Sequence, residues 1–467
     1  MARTPLSSVD AAWLRMDDPT NLMMVSGVLA FDERLDPARV CDVLEERLLA
    51  YPRFGQRVEE APLGIGPPRW VTDDRFDLEA HVHHVALPEP GDKQALERLV
   101  SDLMSTPLDF SKPLWQVHLV DHGPGTVLVA RIHHCIADGI ALIQVLLSLT
   151  DTEAAPRHRP TPPPLPRPGG YGGPLRAGVS LAQAGLGLLR DPARAAEVVG
   201  MGASAAGTLA QLTGLPADPS TPLKGRLGVT KRAAWSEPFP LADVKSAGSR
   251  SGATINDVLV AATSGALRRY LARRGEAVDG LDVRVAVPVN LRPLGEAHEL
   301  GNRFGLAFLA LPVGIADPLQ RVTETKRRMD EVKASLQPVV ALAVLNAIGC
   351  APSHLQPLAV EFFGSKATAV LTNVPGPRQR LYLAGRELRR AMFWVPQSGR
   401  LGLGISILSY NGEVMVGVAS DAGLVPDPER IVEEFQADLR QLVDGADGAG
   451  GPRRRARPPV SRSKPRR

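Results

Sequence analysis

Two adjacent histidines and an aspartate stand close together in the segment His133–Gly139, which reads HHCIADG. A histidine suits general-base chemistry because its ordinary pKa of about 6.5 lets the neutral ring accept a proton near neutral pH. The segment follows an apolar, strand-like run and precedes an apolar, helix-like run. Turns of this kind are where α/β folds often place their sites. The pattern therefore favours a proton acceptor at the end of a strand.

The alternation of side chains along a strand limits what the two histidines can do together. Neighbouring residues point to opposite faces, so His133 and His134 cannot both face one pocket. We expect one to serve the chemistry and the other to be packed or to support it. Asp138 is close enough to fix the histidine backbone or, through an arginine, the loop. Gly139 supplies either an unusual φ or a close approach to the next helix. A hydrogen-bonded core histidine is the ordinary structural alternative.

The segments around the motif predict a mixed α/β protein with two sheet-containing halves. Apolar residues at helical spacing predict helices, and alternating or β-branched apolar runs predict strands. In the first half the predicted elements are helices over 37–51, 94–108 and 140–150 and strands over 115–121 and 126–134. In the second half they are helices over 254–275, 317–335 and 428–445 and strands over 282–293, 366–377, 390–397, 401–412 and 413–423.

Proline and glycine divide the chain. Residues 156–174 are too rich in proline for a regular helix or sheet, because proline removes a donor and fixes φ. An apolar, small-residue segment follows over 175–215, and we expect it to pack in the core or between domains rather than lie on lipid. The predicted segments are an N-terminal half carrying the motif (1–155), a linker with apolar helices (156–225), a C-terminal half (226–445) and a disordered basic tail (446–467).

Charge, cysteine usage and the absence of long apolar runs argue against a nucleic-acid-binding, secreted or membrane-spanning protein. The net charge is +4, but residues 452–467 hold seven arginines, one lysine and no acidic residue. The rest of the chain has 46 basic residues against 50 acidic ones. The body is thus slightly acidic, and we expect no nucleic-acid partner. The tail is either simply solvated or contacts anionic lipid headgroups. Three widely spaced cysteines, with no secretory signal and no spanning apolar run, predict a cytoplasmic protein, peripheral at most on membranes or lipid inclusions.

Other patterns predict little chemistry. The segment His81–Val85 (HVHHV) would place two histidines on one face, yet no further ligands have matching spacing, so we predict no metal site. Cys135 as a nucleophile would need a base on its own face, and nothing marks one. Asn256 and Asp257 stand at the start of a helix, where capping is an equal alternative to a role in a site.

A family resemblance adds to this interpretation. HHCIADG fits the HHxxxDG signature of the coenzyme A-dependent acyltransferase superfamily, which includes nonribosomal peptide condensation domains. The surrounding blocks resemble, in order, the bacterial wax ester synthase/diacylglycerol acyltransferase family over about Pro5 to Val443. These blocks are PLSSVDAAWLRMDDPTNLM, DFSKPLWQVHLVD, TINDVLVAA, VPVNLRP, LGNRFG and LTNVPGP. The resemblance implies two chloramphenicol acetyltransferase-like halves with a substrate tunnel between them.

The resemblance also implies an activity. His134, the second motif histidine, would take the proton from the hydroxyl of a diacylglycerol as it attacks the thioester of acyl-CoA, forming triacylglycerol without an acyl-enzyme. Acyl-CoA is then a co-substrate and no cofactor is needed. A long-chain alcohol as acceptor would make the enzyme a wax ester synthase, since acceptor choice depends on tunnel shape. More distant alternatives are a condensation-type enzyme using carrier-bound thioesters and an inactive lipid-binding relative.

Further site residues follow from the matched blocks. His133 would support the base, and Asp138 would hold the loop by pairing with an arginine such as Arg292. Asn256 would lie near the tunnel, in the alcohol or oxyanion region. Thr372 and Asn373 match a family SNVPGP block with threonine for serine, and we assign both, with Gly139, to the substrate region. For Asn-Val-Pro-Gly a plain turn is the alternative.

Overall fold

The computed structural model describes residues 3–61, 66–155, 207–292, 300–350, 364–397 and 401–445. The proline-rich start of the predicted linker, most of the apolar segment 175–215 and the predicted basic tail lie outside these residues. From the end of the linker segment, residues 207–214 are helical.

Helices and strands alternate along the chain as expected of a mixed α/β protein. The helices are α1 (Ser8–Arg15), α2 (Pro37–Val43), α3 (Lys93–Ser105), α4 (Gly139–Leu149), α5 (Leu241–Arg250), α6 (Ile255–Arg273), α7 (Pro318–Ala334), α8 (Gln337–Cys350) and α9 (Pro428–Gly445). The strands are β1 (Arg3–Pro5), β2 (Met24–Phe31), β3 (Gln56–Glu59), β4 (Arg69–Thr72), β5 (Val82–Ala86), β6 (Trp115–His122), β7 (Gly125–His133), β8 (Lys231–Trp235), β9 (Phe239–Pro240), β10 (Val283–Asn290), β11 (Phe304–Leu311), β12 (Ala369–Pro375), β13 (Tyr382–Leu383), β14 (Arg386–Trp394), β15 (Leu403–Tyr410) and β16 (Glu413–Asp421).

The predicted elements are present with small changes at their ends. The helix expected over 37–51 is α2, which continues as a π-helical turn over Leu44–Leu48. The strand expected over 126–134 is β7, and it ends at His133, so that His134 already lies in the following turn. The apolar run after the motif forms α4, which is buried against the first sheet as its composition predicted.

The first sheet carries the motif strand near its middle. Its strand order is β13-β14-β2-β7-β6-β5, and its pairs are antiparallel except for β5 with β6. Because β7 is hydrogen-bonded on both sides, by β2 and by β6, the end of the strand that delivers the histidines is held in register by two neighbours.

The second sheet has the order β11-β10-β12-β15-β16-β8, with β9 also paired to β16. Its central strands β10, β12 and β15 are parallel. The ladder between β10 and β12 is limited to two positions, Val285 with Ala369 and Ala286 with Val370. The far ends of these two strands, at Asn290 and Asn373, therefore share no ladder.

Strands β13 and β14 come from the second half of the sequence but belong to the first sheet. β14 pairs antiparallel with β2 from Leu388 with Phe31 to Trp394 with Ser26. Trp394 is fully buried, and its ring lies so close to Gly417 of β16 that an added Cβ there would be 2.7 Å from Nε1. The first sheet is thus completed by strands from the second half, and β14 packs against β16 of the second sheet. The sequence predicted a strand over 390–397, but it gave no indication that the strand lies in the other half's sheet.

Within the described residues, no single helix is both long and apolar enough to cross a membrane. α7 and the first part of α8, Gln337–Ile348, meet those criteria only as a pair that is bent by 57°.

Candidate active site

The turn after β7 separates the two histidine rings. The backbone N–H of His133 donates to Leu114 at 2.9 Å, and that of His134 donates to Met23 at 2.7 Å. His133 Nδ1 accepts the N–H of Cys135 at 3.1 Å, and its Nε2 lies 3.5 Å from Oδ1 of Asp17. These contacts fix the first ring inside the turn, so that His133 acts as a support for the turn.

The ring of His134 lies between two aromatic side chains. It stacks on Trp13 with ring centroids 4.3 Å apart and an interplanar angle of 21°, and it contacts Phe304 at 5.6 Å. The residue is only 4% exposed, and its Nδ1 makes no hydrogen bond to any residue that the structure describes. Burial lowers the pKa of His134 to about 4, although the charge of Asp138 acts in the opposite direction. The ring is therefore neutral near pH 7 and able to accept a proton.

Asp138 is fully used in holding the loop. Its Oδ1 accepts the N–H of Ala141 at 2.9 Å and so caps α4. Its Oδ2 accepts Nη2 of Arg292 at 2.7 Å and the N–H of Arg303 at 3.0 Å. The structure therefore brings Asp138 together with Arg292, the arginine that the sequence named. Both carboxylate oxygens point to these donors, which is the arrangement of a positioning group.

The structure shows neither of the two reasons that the sequence suggested for a glycine at position 139. Its φ is not among the positive values of the chain's glycines. A Cβ added there would meet Cγ1 of Val395 at 3.8 Å, which is an ordinary van der Waals contact. The expectation of an unusual φ or a close approach is thus wrong, since the N-terminus of α4 leaves room for a side chain.

Asn256 and Asn373 are brought together from distant parts of the sequence. Nδ2 of Asn373 donates to Oδ1 of Asn256 at 2.7 Å. The hydroxyl of neighbouring Thr372 donates to Ser406 at 3.1 Å inside the second sheet. The capping box of α6 is formed by Thr254 and Asp257, so Asn256 does not cap the helix. Across the described residues, no hydrogen bond joins this asparagine pair to the histidine turn.

A network from α1 holds the backbone of the histidine turn. Asn302 donates from Nδ2 to the carbonyl oxygen of His134 at 2.8 Å and to Oδ1 of Asp10 at 2.8 Å. Asp10, which is completely buried, also pairs with Arg53 at 3.2 Å. Arg53 in turn donates to the carbonyl oxygen of Ile136 at 2.6 Å. Two carbonyls of the turn are thus bound by side chains that one buried carboxylate orients.

The sequence did not assign roles to Asp10, Trp13 or Asn302. All three lie in blocks that carried the family resemblance, and the only local indication is an acid at position 10 within the apolar run Val9–Leu14. An acid that is surrounded by buried residues needs a partner. That requirement could have marked Asp10, but not the residue that it binds.

The remaining histidines and the cysteine of the motif show no second site. His81 Nδ1 bonds to the carbonyl oxygen of Trp115 at 2.7 Å, and the ring of His83 lies against that of His118 at 5.0 Å. Where the structure describes the chain, no group of three or more histidine, cysteine or acidic side chains is placed to hold a metal ion. Burial raises the pKa of the Cys135 thiol well above its usual value, which disfavours a nucleophilic thiolate.

A cleft between the two halves lies beside the motif strand. It adjoins Met24, which is the ladder partner of His133, and Lys231 and Gln397 line it from the second half. Its other lining residues are Asn21, Leu22, Ser26, Met104, Val395, Pro396 and Ala419. The cleft is mainly apolar, and His134 is not part of its lining.

Known proteins resemble this chain along most of its length. Residues 6–259 match the model of the wax ester synthase/diacylglycerol acyltransferase catalytic domain, and residues 300–443 match that of the family's C-terminal domain. A putative diacylglycerol O-acyltransferase of Mycobacterium bovis is 30% identical over 455 residues, covering 94% of this chain and 95% of that protein. Another from Mycobacterium tuberculosis is 31% identical over 477 residues, covering 97% and 99%.

Solved structures share the fold. The wax ester synthase/diacylglycerol acyltransferase from Marinobacter aquaeolei VT8 superposes with a TM-score of 0.69 at 23% identity, covering 95% of this chain and all of that one. The first condensation domain of the calcium-dependent antibiotic synthetase superposes at 0.61 with 17% identity, covering 95% and 96%. The predicted mixed α/β fold of this superfamily is thereby confirmed. On these matches the chain belongs to the wax ester synthase/diacylglycerol acyltransferase family and is an O-acyltransferase.

Proposed function

We propose that this protein is an acyl-CoA:diacylglycerol O-acyltransferase that makes triacylglycerol, with His134 as the general base. The observation that carries the proposal is the buried, neutral imidazole at the end of β7, whose Nδ1 has no hydrogen-bond partner in the described residues. The relatives at 30–31% identity are named as diacylglycerol O-acyltransferases, which supports this acceptor.

The proposed reaction is a direct transfer. The imidazole of His134 accepts the hydroxyl proton of the acceptor while the hydroxyl oxygen attacks the thioester carbonyl carbon. The tetrahedral intermediate then expels the thiolate of coenzyme A, and the imidazolium returns the proton to that sulfur. The new C–O bond replaces the C–S bond, so no acyl-enzyme and no cofactor beyond the co-substrate acyl-CoA are needed. General-base catalysis of this kind contributes typically about 10²–10⁴-fold.

The neighbouring residues support the proposed step in different ways. Asp138, Arg292 and His133 would hold the turn that carries the base. Asn256 uses its Oδ1 to accept from Asn373. Its Nδ2 is then the group that would donate to the acceptor or to the developing oxyanion, as preorganised donors do in acyl transfer. We assign Thr372 and Gly139 to the surroundings of the substrate.

A wax ester synthase is the second candidate. The matched family model is described by both activities, and the two differ only in the alcohol that presents its hydroxyl to the base. Both acceptors should therefore be offered to the same preparation. An inactive lipid-binding relative would turn over neither.

The test uses the full chain with radiolabelled palmitoyl-CoA and either dioleoylglycerol or hexadecanol. We expect labelled triacylglycerol, and we expect His134→Ala to lose most of it. His84→Ala is a matched control, because His84 lies on β5 with a side chain 54% exposed, and it should keep full activity. A folded His134→Ala protein with unchanged turnover would contradict the mechanism. A clear preference for hexadecanol would instead favour the second candidate.

We further propose that the enzyme meets its lipid acceptor at the surface of a membrane or lipid inclusion in the cytoplasm. The basic residues of 452–467 would attract anionic headgroups. Vesicle sedimentation with anionic lipid should show salt-sensitive binding that a protein ending at Gly451 lacks. Equal binding by both proteins would contradict a role for the tail.

A further inference from the structure

Trp13 presents its aromatic face to the proposed base. It lies on α1 and is 4% exposed, and its indole is nearly parallel to the ring of His134, with the centroids 4.3 Å apart. Its Nε1 is buried and donates to no residue that the structure describes. The side chain therefore contributes its face to the surroundings of the histidine, and its N–H donor stabilises nothing there.

General-base catalysis creates a charge at this position. When His134 accepts a proton it becomes a cation, and a buried cation is costly unless something compensates it. Asp138 is the carboxylate whose charge favours the imidazolium, but both of its oxygens already accept from other groups. Asp10 is occupied by Asn302. In the part of the chain that the structure describes, neither carboxylate forms an ion pair with the ring of His134, whereas the indole of Trp13 covers one face of that ring.

The positive groups near the ring make this compensation more important. Arg53 pairs with Asp10, and Arg292 pairs with Asp138, so each nearby carboxylate is already balanced by a guanidinium. Protonation of His133 would disfavour a second charge on His134. An aromatic face attracts a cation through its quadrupole, and indole does so best among the side chains.

We propose that Trp13 is a positioning residue that holds the imidazole of His134 and stabilises the imidazolium formed as the acceptor hydroxyl loses its proton. This inference rests on His134 being the general base. It goes further in assigning the stabilisation of the charged ring to an aromatic face. Phe304 contributes less, because its ring is tilted by 51° and lies 5.6 Å away.

The expected effect is on turnover rather than on binding. The imidazolium exists in the transition state and not in the bound ground state. Removing the indole face that stabilises it should therefore lower kcat and leave the KM for palmitoyl-CoA unchanged. A desolvated cation–π contact corresponds to roughly a 10- to 30-fold change in rate. Trp13→Phe, which keeps a weaker face, should lose less than Trp13→Leu, which removes it.

Fluorinated tryptophan separates electrostatics from shape. The full chain contains five tryptophans and can be produced with mono-, di- or trifluorotryptophan, which weakens the negative face with little change in volume. We expect kcat to fall stepwise along this series, with triacylglycerol formation as the readout. The same series in Trp13→Phe, which keeps the other four tryptophans, is the control and should be flat.

The outcomes are distinguishable. A stepwise fall in the parent protein with a flat control supports the inference. No fall in the parent, or an equal fall in Trp13→Phe, overturns the role of Trp13, even where His134→Ala is inactive and the proposed function stands. Full activity of folded His134→Ala would instead overturn the proposed function.

Discussion

Replacing Asp138 with asparagine would remove one charge from the loop that carries the histidines while keeping the shape of the side chain. Asp138 is 2% exposed, and its carboxylate accepts from Arg292, from the N–H of Arg303 and from the N–H of Ala141. The asparagine would remove the negative charge that lies 2.7 Å from the guanidinium of Arg292. It would also direct an NH₂ group towards one of these donors.

The magnitude follows from the burial of both partners. Removing one member of a buried ion pair costs about 3–5 kcal/mol, because the remaining charge is uncompensated. The helix cap adds little, since asparagine caps about as well as aspartate. We therefore expect the free energy of unfolding of Asp138→Asn to fall by about 3–5 kcal/mol. Adding Arg292→Met should restore part of it, because the double variant buries no unpaired charge, and a coupling of about 1–3 kcal/mol is expected.

Urea unfolding followed by circular dichroism measures this effect, with kcat determined on the same preparations. Asp330→Asn is the matched control, because it makes the same chemical change on α7 at a side chain that is 50% exposed. It should leave the urea midpoint unchanged, as exposed pairs contribute little. If Asp138→Asn kept its stability and lost kcat, the carboxylate would act in proton transfer and the positioning role would be refuted. Strict additivity of the two substitutions would refute the ion pair.

Four further predictions concern the histidine, its network and one glycine. Because burial lowers the pKa of His134 to about 4, protonation of this base should not reduce kcat between pH 7 and 5 in a pH–rate profile. In the unfolded chain His134 takes up a proton near pH 6.5, whereas in the folded protein it does so only near pH 4. The free energy of unfolding should therefore fall by on the order of 3 kcal/mol between about pH 6.5 and pH 4. Urea unfolding measures this fall, which should be absent in His134→Gln. Asp10→Asn should lower kcat roughly tenfold in steady-state assays without changing KM, because Asn302 loses the acceptor that aims it at the turn. Gly305→Ala should lower the melting temperature by several degrees, since its Cβ would lie 1.8 Å from a carbonyl oxygen of α8, whereas Gly214→Ala meets nothing within 4 Å and should be neutral.

The sequence predicted those parts of the fold that depend on local periodicity. The amphipathic stripe of 94–108 became α3, and the alternation over 115–121 became β6, because each pattern reports which face is buried. The sequence also predicted one contact near the proposed site. The end of β7 delivers the histidines, and Asp138 meets Arg292, a contact 154 residues apart in the chain that the family resemblance suggested.

What the sequence did not predict depends on contacts between distant segments. β14 reads as an ordinary strand of the second half, and nothing in its residues specifies β2 as its neighbour. In that sheet Trp394 packs over Gly417 of the second sheet, where an added Cβ would lie 2.7 Å from Nε1, and this contact is not visible in either segment alone. The error at Gly139 has the opposite origin, because a glycine after an aspartate at a turn commonly signals strain, and here none is present.

The surroundings of His134 explain why the two halves have to fold together. Its ring is covered by Trp13 from the start of the chain and by Phe304 from the second sheet, and its carbonyl is held by Asn302. Asp138 is buried and pairs at 2.7 Å with Arg292 from the second half. A first half alone would lack Phe304 and Asn302, so we expect the ring of His134 to be more exposed there and its pKa to return towards about 6.5. The first sheet also takes β13 and β14 from the second half of the sequence. Burial of His134 therefore depends on residues from both halves of the sequence.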